Sequence, residues 1–213
     1  MKKFNFWYLT LLLPFSLGLF VALYQEKFYT LEKSIFVFLR NLAPFCDIPF
    51  TILTEMGSAV GVIAITSLIF IISAFFKNRF FDFGLPIALT AIASRVINIT
   101  LKNAIGRPRP DFMVLSASEA SFPSGHAMNN MALYISVLLA ALLIVSAPKW
   151  RNFLKITMVA LPVIIGITRI YFGVHYISDV IAGWSLGALV AIVVNYFYFK
   201  IYNKIKDKKY AKT

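Results

Sequence analysis

Three short segments of the chain combine cations, a helix-opening turn and the chain's two histidines. The first runs Lys102-Asn-Ala-Ile-Gly-Arg107-Pro-Arg109-Pro110, the second Phe122-Pro123-Ser124-Gly125-His126, and the third Thr168-Arg169 through His175 to Asp179. Lys102, Arg109 and Arg169 are cations with several donors each, suited to an anion bearing several oxygens, such as phosphate. Pro123-Ser124-Gly125 opens a helix, whose free backbone N–H groups and positive end favour the same ligand. Gly125 lacks a Cβ and leaves that backbone open to close approach. His175 and Asp179 are four apart, the spacing of one helical face. A carboxylate there holds the imidazole in one tautomer and leaves the other nitrogen free to attack phosphorus. His126 then has a separate task, donating a proton to the leaving oxygen. No step of that chemistry calls for a metal, and one cysteine with two histidines is too small a set for a structural zinc site.

The elements that must position these residues are membrane helices. Of the 213 residues, 60% are hydrophobic and 14% charged, and the mean hydropathy is +0.78. A soluble domain carries about a quarter charged residues, so this composition cannot cover a globular surface. Six stretches approach the roughly 20 apolar residues needed to cross a bilayer: 6–24, 52–76, 83–101, 128–147, 154–167 and 180–199. The fifth is short as drawn and is expected to extend to Arg169 or beyond. The first follows two lysines but is 19 residues long, with no small-x-small cleavage site immediately before Gln25, so it reads as a retained helix. Between the first two spans, Leu31, Ile35, Phe38, Leu39 and Leu42 follow helical spacing, with Glu32, Lys33 and Arg40 elsewhere on the wheel, and Pro44 should stop that helix. At about 12 residues it is expected to lie along the outer interface. With no repeat, linker or low-complexity run, residues 1–213 read as one membrane-embedded domain, an all-α bundle of six transmembrane helices with one short interfacial helix.

The net charge of +12 would suggest nucleic acid in a soluble protein. With both termini cytoplasmic and six crossings, Lys2, Lys3, Lys77, Arg79, Lys149, Arg151, Lys155, Lys200, Lys204, Lys206, Lys208, Lys209 and Lys212 fall inside against Asp82 and Asp207. That is a net of +11, and about +1 is left outside. Such asymmetry is the signature of membrane orientation, and it removes the argument for nucleic acid. The basic tail after Phe199 reads as an anchor beside anionic lipid. All three chemical segments then meet at the outer face.

In these residues the chain resembles the type 2 phosphatidic acid phosphatase family, integral membrane lipid phosphatases that share a site design with vanadium haloperoxidases. Lys102 through Pro110 matches the family's Lys-x6-Arg-Pro, and Pro123 through His126 matches its Pro-Ser-Gly-His. Arg169, His175 and Asp179 match its Ser-Arg-x5-His-x3-Asp, with Thr168 standing where the family has Ser and keeping the hydroxyl. The motifs span 78 residues. The resemblance implies dephosphorylation through a phosphohistidine with no metal cofactor. His175 would be the nucleophile, Asp179 its partner and His126 the acid, while Lys102, Arg109, Ser124, Gly125 and Arg169 would hold the phosphoryl oxygens. The lipids it implies are undecaprenyl pyrophosphate, phosphatidylglycerol phosphate, phosphatidic acid and lipid A phosphates, met at the periplasmic or extracellular side of an inner or plasma membrane. The alternatives are a lipid-to-lipid phosphotransferase using the same intermediate, a non-enzymatic lipid transporter and a structural membrane scaffold.

Taken singly, these residues have plainer readings: Lys102 or Arg169 snorkelling to the interface, a Ser-Gly pair packing between helices. Three segments converging with costly charges at one membrane face favour function. Arg95 and Asn98, one to two turns before Lys102, face either the same cavity or a packing partner such as Glu55. Arg107 is a loop cation or a second phosphate contact, and with Arg95 it leans toward a diphosphate or a sugar phosphate as substrate. Glu119 is expected to be solvated. Trp7 and Trp150 suit interfacial anchoring, and Trp184 packing.

Overall fold

The computed structural model describes residues 5–42, 44–76 and 79–210 and is all-helical over them. Lys2, Lys3, Lys77 and Lys212 of the inner charge set lie outside the described residues. A 3-10 turn at Phe6–Leu11 leads into α1 (Leu12–Leu23), and α2 (Gln25–Leu42) and α3 (Asp47–Met56) follow. Next come α4 (Ala59–Phe75), α5 (Leu85–Ile105), α6 (Gly125–Ala141), α7 (Pro148–Tyr171) and α8 (Ile177–Tyr210).

Phe80–Ile105, Pro148–Tyr171 and Ile177–Lys208 are each long and apolar enough to cross a membrane alone. α1 with α2, and α3 with α4, pass the same test only as pairs, bent by 109° and 54°. α6 has 17 residues. The stretch expected as one span over 52–76 is broken at Gly57 and Ser58, where the Ser58 side chain caps α4 by accepting from Gly61 N. α7 reaches Tyr171, beyond the apolar run, as expected.

α8 is the centre of the bundle because small residues let neighbours approach it. Gly183 and Gly187 are four apart, and a Cβ on Gly187 would lie 2.3 Å from the Met128 carbonyl of α6. Asn195 donates to Thr90 and Ser136 at 3.1 and 2.9 Å, tying α8 to α5 and α6. Trp184 packs against α7 and donates to the Pro162 carbonyl at 3.0 Å. Outside the bundle the large apolar side chains of α4, such as Val60, Ile63 and Phe75, are exposed, as a lipid-facing helix requires.

α2 differs from its expected form. It has 18 residues rather than 12, and its apolar stripe divides. Ile35 and Leu39 pack on Ala127, Ile170 and Val180, while Leu31, Phe38 and Leu42 face outward. Glu32, expected on the polar face, shares the inward face with Ile35 and Leu39 and is buried.

Candidate functional site

Each functional side chain is placed by a helix end. α5 stops at Gly106, whose φ of +62° is a left-handed cap that lets its N–H bond the Lys102 carbonyl at 2.9 Å. The chain then turns back across the bundle toward α6. Ser124 caps α6 through its side chain and donates its own N–H to the Asp179 carbonyl at 3.1 Å. Asn98, fully buried on α5, donates to the Pro123 carbonyl at 3.2 Å, fixing the same turn from the other side. The five residues between α7 and α8 are held by Val174 N bonding the Arg169 carbonyl at 3.1 Å.

These ends enclose a cavity of about 280 Å³. Six of the eight predicted residues line it: Lys102, Arg109, Gly125, His126, Arg169 and His175. Arg95 joins them, so four cations face the space against one lining carboxylate, Glu119. Glu119 is exposed and stands 3.9 Å from Arg95 and 3.8 Å from Lys102. Lys102 Nζ also donates to the Ala120 carbonyl, and Arg109 donates to the Glu119 and Val174 carbonyls at 2.6 and 2.8 Å. Arg169 donates to the Thr54 hydroxyl at 2.5 Å, and its buried Nε has no protein partner. Oxygens of a phosphate would complete these donor sets.

The other two predicted residues stand behind the wall. Ser124 is fully buried and its Oγ serves the cap. Asp179, in the first turn of α8, lies 3.5 Å from His175 Nδ1. His175 precedes α8 in the loop, so the pair meets across a helix start rather than on one helical face. Ser121 Oγ donates to Asp179 Oδ2 at 2.5 Å and lies 3.2 Å from Nδ1. Nδ1 therefore faces two oxygens and carries the proton, and Nε2 is left facing Arg109 at 3.4 Å. Burial drives the His175 pKa down to about 3, against the opposing pull of Asp179, and keeps the ring neutral, with the Nε2 lone pair turned toward Arg109 Nη1.

Arg107 does not line the cavity. It is buried and donates to Asp179 Oδ1 at 2.5 Å, to Ser178 Oγ at 2.8 Å and to Glu32 Oε2 at 2.6 Å. The sequence reading of Arg107 as loop cation or phosphate contact is thus replaced by a buried ion-pair role. The Thr168 hydroxyl bonds its own helix at Ile165, 2.7 Å away. Ser121, Thr54 and Glu32 escaped the sequence reading. Only Ser121 carried a signal, its place next to Phe122-Pro123.

A second, apolar cavity of about 690 Å³ runs between α4 and α5, lined by residues such as Ile63, Phe70, Ala88 and Ile92. Ala59, Val62, Arg95 and Asn129 line both cavities, so the two adjoin.

The model of the PAP2 superfamily matches residues 83–203. Phosphatidylglycerophosphatase B of Bacillus subtilis (strain 168) is 37% identical over 164 residues, 74% of this chain and 78% of that protein. The undecaprenyl-diphosphatase of Sulfolobus acidocaldarius is 27% identical over 203 residues, 91% of each chain. The crystal structure of a transmembrane PAP2-type phosphatidylglycerolphosphate phosphatase from Bacillus subtilis superposes with a TM-score of 0.78 at 28% identity, over 91% of this chain and 98% of that one.

Proposed function

This chain belongs to the PAP2 superfamily, and from that premise we propose that it removes the terminal phosphate of a membrane lipid through a phosphohistidine, without a metal ion, at the outer membrane face. It is a phosphoric ester hydrolase acting on lipid phosphates. The lone pair of His175 Nε2 attacks phosphorus. The bond from phosphorus to the lipid-side oxygen breaks, and His126, protonated, gives that oxygen its proton. A water then attacks the phosphohistidine and loses a proton to His126. The N–P bond breaks, phosphate leaves, and both histidines return to their starting states. Lys102, Arg109 and Arg169, with the α6 N-terminus at Gly125, hold the charge that builds on the phosphoryl oxygens, the main source of rate in phosphoryl transfer, while Ser124 serves that turn as its cap.

The observation that carries this reading is the setting of His175, with Nδ1 against Ser121 and Asp179 and Nε2 facing a cation-lined cavity. The adjoining apolar cavity supports a lipid substrate, whose hydrocarbon tail would lie between α4 and α5 while its headgroup reaches His175. Undecaprenyl pyrophosphate, phosphatidylglycerol phosphate, phosphatidic acid and lipid A remain the candidates. Arg95, standing where the two cavities join, favours a diphosphate, whose second phosphoryl group would pass that point.

The topology proposed is six crossings made by α1, α3 with α4, α5, α6, α7 and α8, with both termini cytoplasmic and α2 along the outer interface. It is supported by the charge asymmetry and by exposed Trp150 beside Lys149 and Arg151 at the inner ends.

The test is phosphate release by the purified full-length protein in detergent with excess chelator, on a panel of those four lipids, beside His175→Ala. Release that resists chelator and vanishes in the variant is expected. Labelled phospholipid product in place of free phosphate would mark a transferase instead, and headgroup-dependent lipid movement surviving His175→Ala would mark a transporter.

A further inference from the structure

We infer that Glu32 of α2 is a positioning residue for this reaction: through Arg107 and Ser178 it holds the Asp179 carboxylate against His175, so the seating of α2 sets the alignment of the nucleophile. The inference rests on the phosphohistidine reading above.

α2 has one fully buried residue among those described, and it is a carboxylate. A buried charge on an otherwise amphipathic helix is costly unless it is paired and fully hydrogen-bonded. Glu32 is both. Oε2 accepts from Arg107 Nη2 at 2.6 Å, and Oε1 accepts from the Ser178 hydroxyl and, at 3.3 Å, from the Ser178 N–H. Arg107 Nη1 closes the ring on Ser178 Oγ at 2.8 Å and reaches Asp179 Oδ1 at 2.5 Å. Glu32, Arg107 and Asp179 are each at most 3% exposed. The Arg107 guanidinium lies 4.0 Å from the centre of the Tyr176 ring, and Tyr176 N donates to Asp179 Oδ2 at 3.0 Å.

One guanidinium is therefore shared between two carboxylates from opposite sides of the site. Asp179 Oδ1 is held by Arg107 and Oδ2 by Ser121 and Tyr176 N, which aims the carboxylate at Nδ1 of His175. Glu32 fixes the far side of Arg107, and neither Glu32 nor Arg107 lines the cavity. Their effect on the reaction runs through Asp179, and a shift of Asp179 by about an ångström is enough to cost on the order of a hundredfold in rate. Glu32 is brought by the helix whose outer face carries Leu31, Phe38 and Leu42, so the catalytic carboxylate is tied to the element expected to ride on the membrane surface.

The experiment uses full-length protein and phosphatidic acid or undecaprenyl diphosphate bearing labelled phosphate, whichever the wild type turns over faster. Glu32→Gln, Arg107→Lys and the double variant are compared with Leu31→Ala, an outward-facing change on the same helix. Steady-state kinetics are measured beside single-turnover labelling of His175, normalised to the sites that can be labelled. The expected result is kcat lower by on the order of tenfold in Glu32→Gln and a hundredfold in Arg107→Lys, with KM within about twofold. The double variant should lose no more than Arg107→Lys alone, because the two residues act as one unit. Leu31→Ala should stay near wild type. Glu32→Gln keeps the size and one acceptor oxygen while removing the charge and the second acceptor, so it decides the matter even if Arg107→Lys fails to fold. Wild-type labelling rates in both variants, or raised KM at unchanged kcat, would overturn this inference alone. No label on His175 in the wild type would overturn the phosphohistidine reading and this inference with it.

Discussion

Replacing Ser121 by alanine removes one hydroxyl that makes two contacts at the heart of the site. Its Oγ donates to Asp179 Oδ2 at 2.5 Å and is the nearest oxygen to His175 Nδ1, at 3.2 Å. Without it the carboxylate keeps Arg107 and Tyr176 N, but Nδ1 is left with Asp179 alone at 3.5 Å, a long contact. A hydrogen bond to a charged group contributes about 1.5–3 kcal/mol. If that loss falls on the alignment of His175 in the transition state, kcat drops by roughly 10- to 150-fold. KM should hardly move, since Ser121 does not line the cavity. Asp179→Asn goes further. Its amide can donate to Nδ1, which then loses its proton to Nε2 and leaves the attacking nitrogen without a lone pair. The corresponding change in a serine protease triad costs about 10⁴-fold. The assay is initial-rate phosphate release from the best lipid of the panel, with thermal unfolding to check that both variants fold. A Ser121→Ala enzyme at full kcat, or an Asp179→Asn enzyme within tenfold of wild type, would falsify the assignment of Nδ1 as the held nitrogen.

Other outcomes follow from the same geometry. Arg95→Ala should raise KM for undecaprenyl diphosphate more than for phosphatidic acid, because Arg95 stands at the junction of the two cavities; equal changes would remove Arg95 from substrate selection. Gly187→Val, which puts side-chain carbon where even a Cβ comes within 2.3 Å of the Met128 carbonyl, should destabilise by at least about 1–3 kcal/mol, read as a lower Tm at fixed scan rate. Stability should also depend on pH through His175. Its pKa is about 3 in the folded protein and near 6.5 unfolded, so below 6.5 the unfolded chain binds the proton and the folded chain does not. The His175 contribution is fully present above about pH 6.5 and declines progressively as pH falls toward 3. Tm of His175→Asn should accordingly fall less steeply than that of wild type over that window.

The site was more legible than its supports. Lys102, Arg109, Gly125, His126, Arg169 and His175 could be chosen because their types announce phosphate chemistry and they fall where apolar runs begin or end. The ends of helices gather at one face, which made the convergence readable from order alone. Glu32 gave no such sign, since a glutamate on the polar side of an amphipathic pattern is the ordinary expectation; only the packing of Ile35 and Leu39 turns that side inward. Arg107 looked like a free loop cation because its partners lie 75 residues before it and 71 and 72 after it. The face assigned to His175 and Asp179 was wrong in kind though right in distance: Gly173 ends α7 with φ +65°, and α8 begins only at Ile177. The break at Gly57 and Ser58 was hidden because the apolar run continues through it, and hydropathy carries no record of a cap.

The most direct test of the central claim is to quench the wild-type enzyme with labelled lipid phosphate in the presence of chelator and map the bound phosphoryl group. An acid-labile, base-stable phosphoryl group on His175 that forms and decays fast enough to carry turnover is the predicted result. A full rate of phosphate release with no label on His175, or with release abolished by chelator, would contradict it.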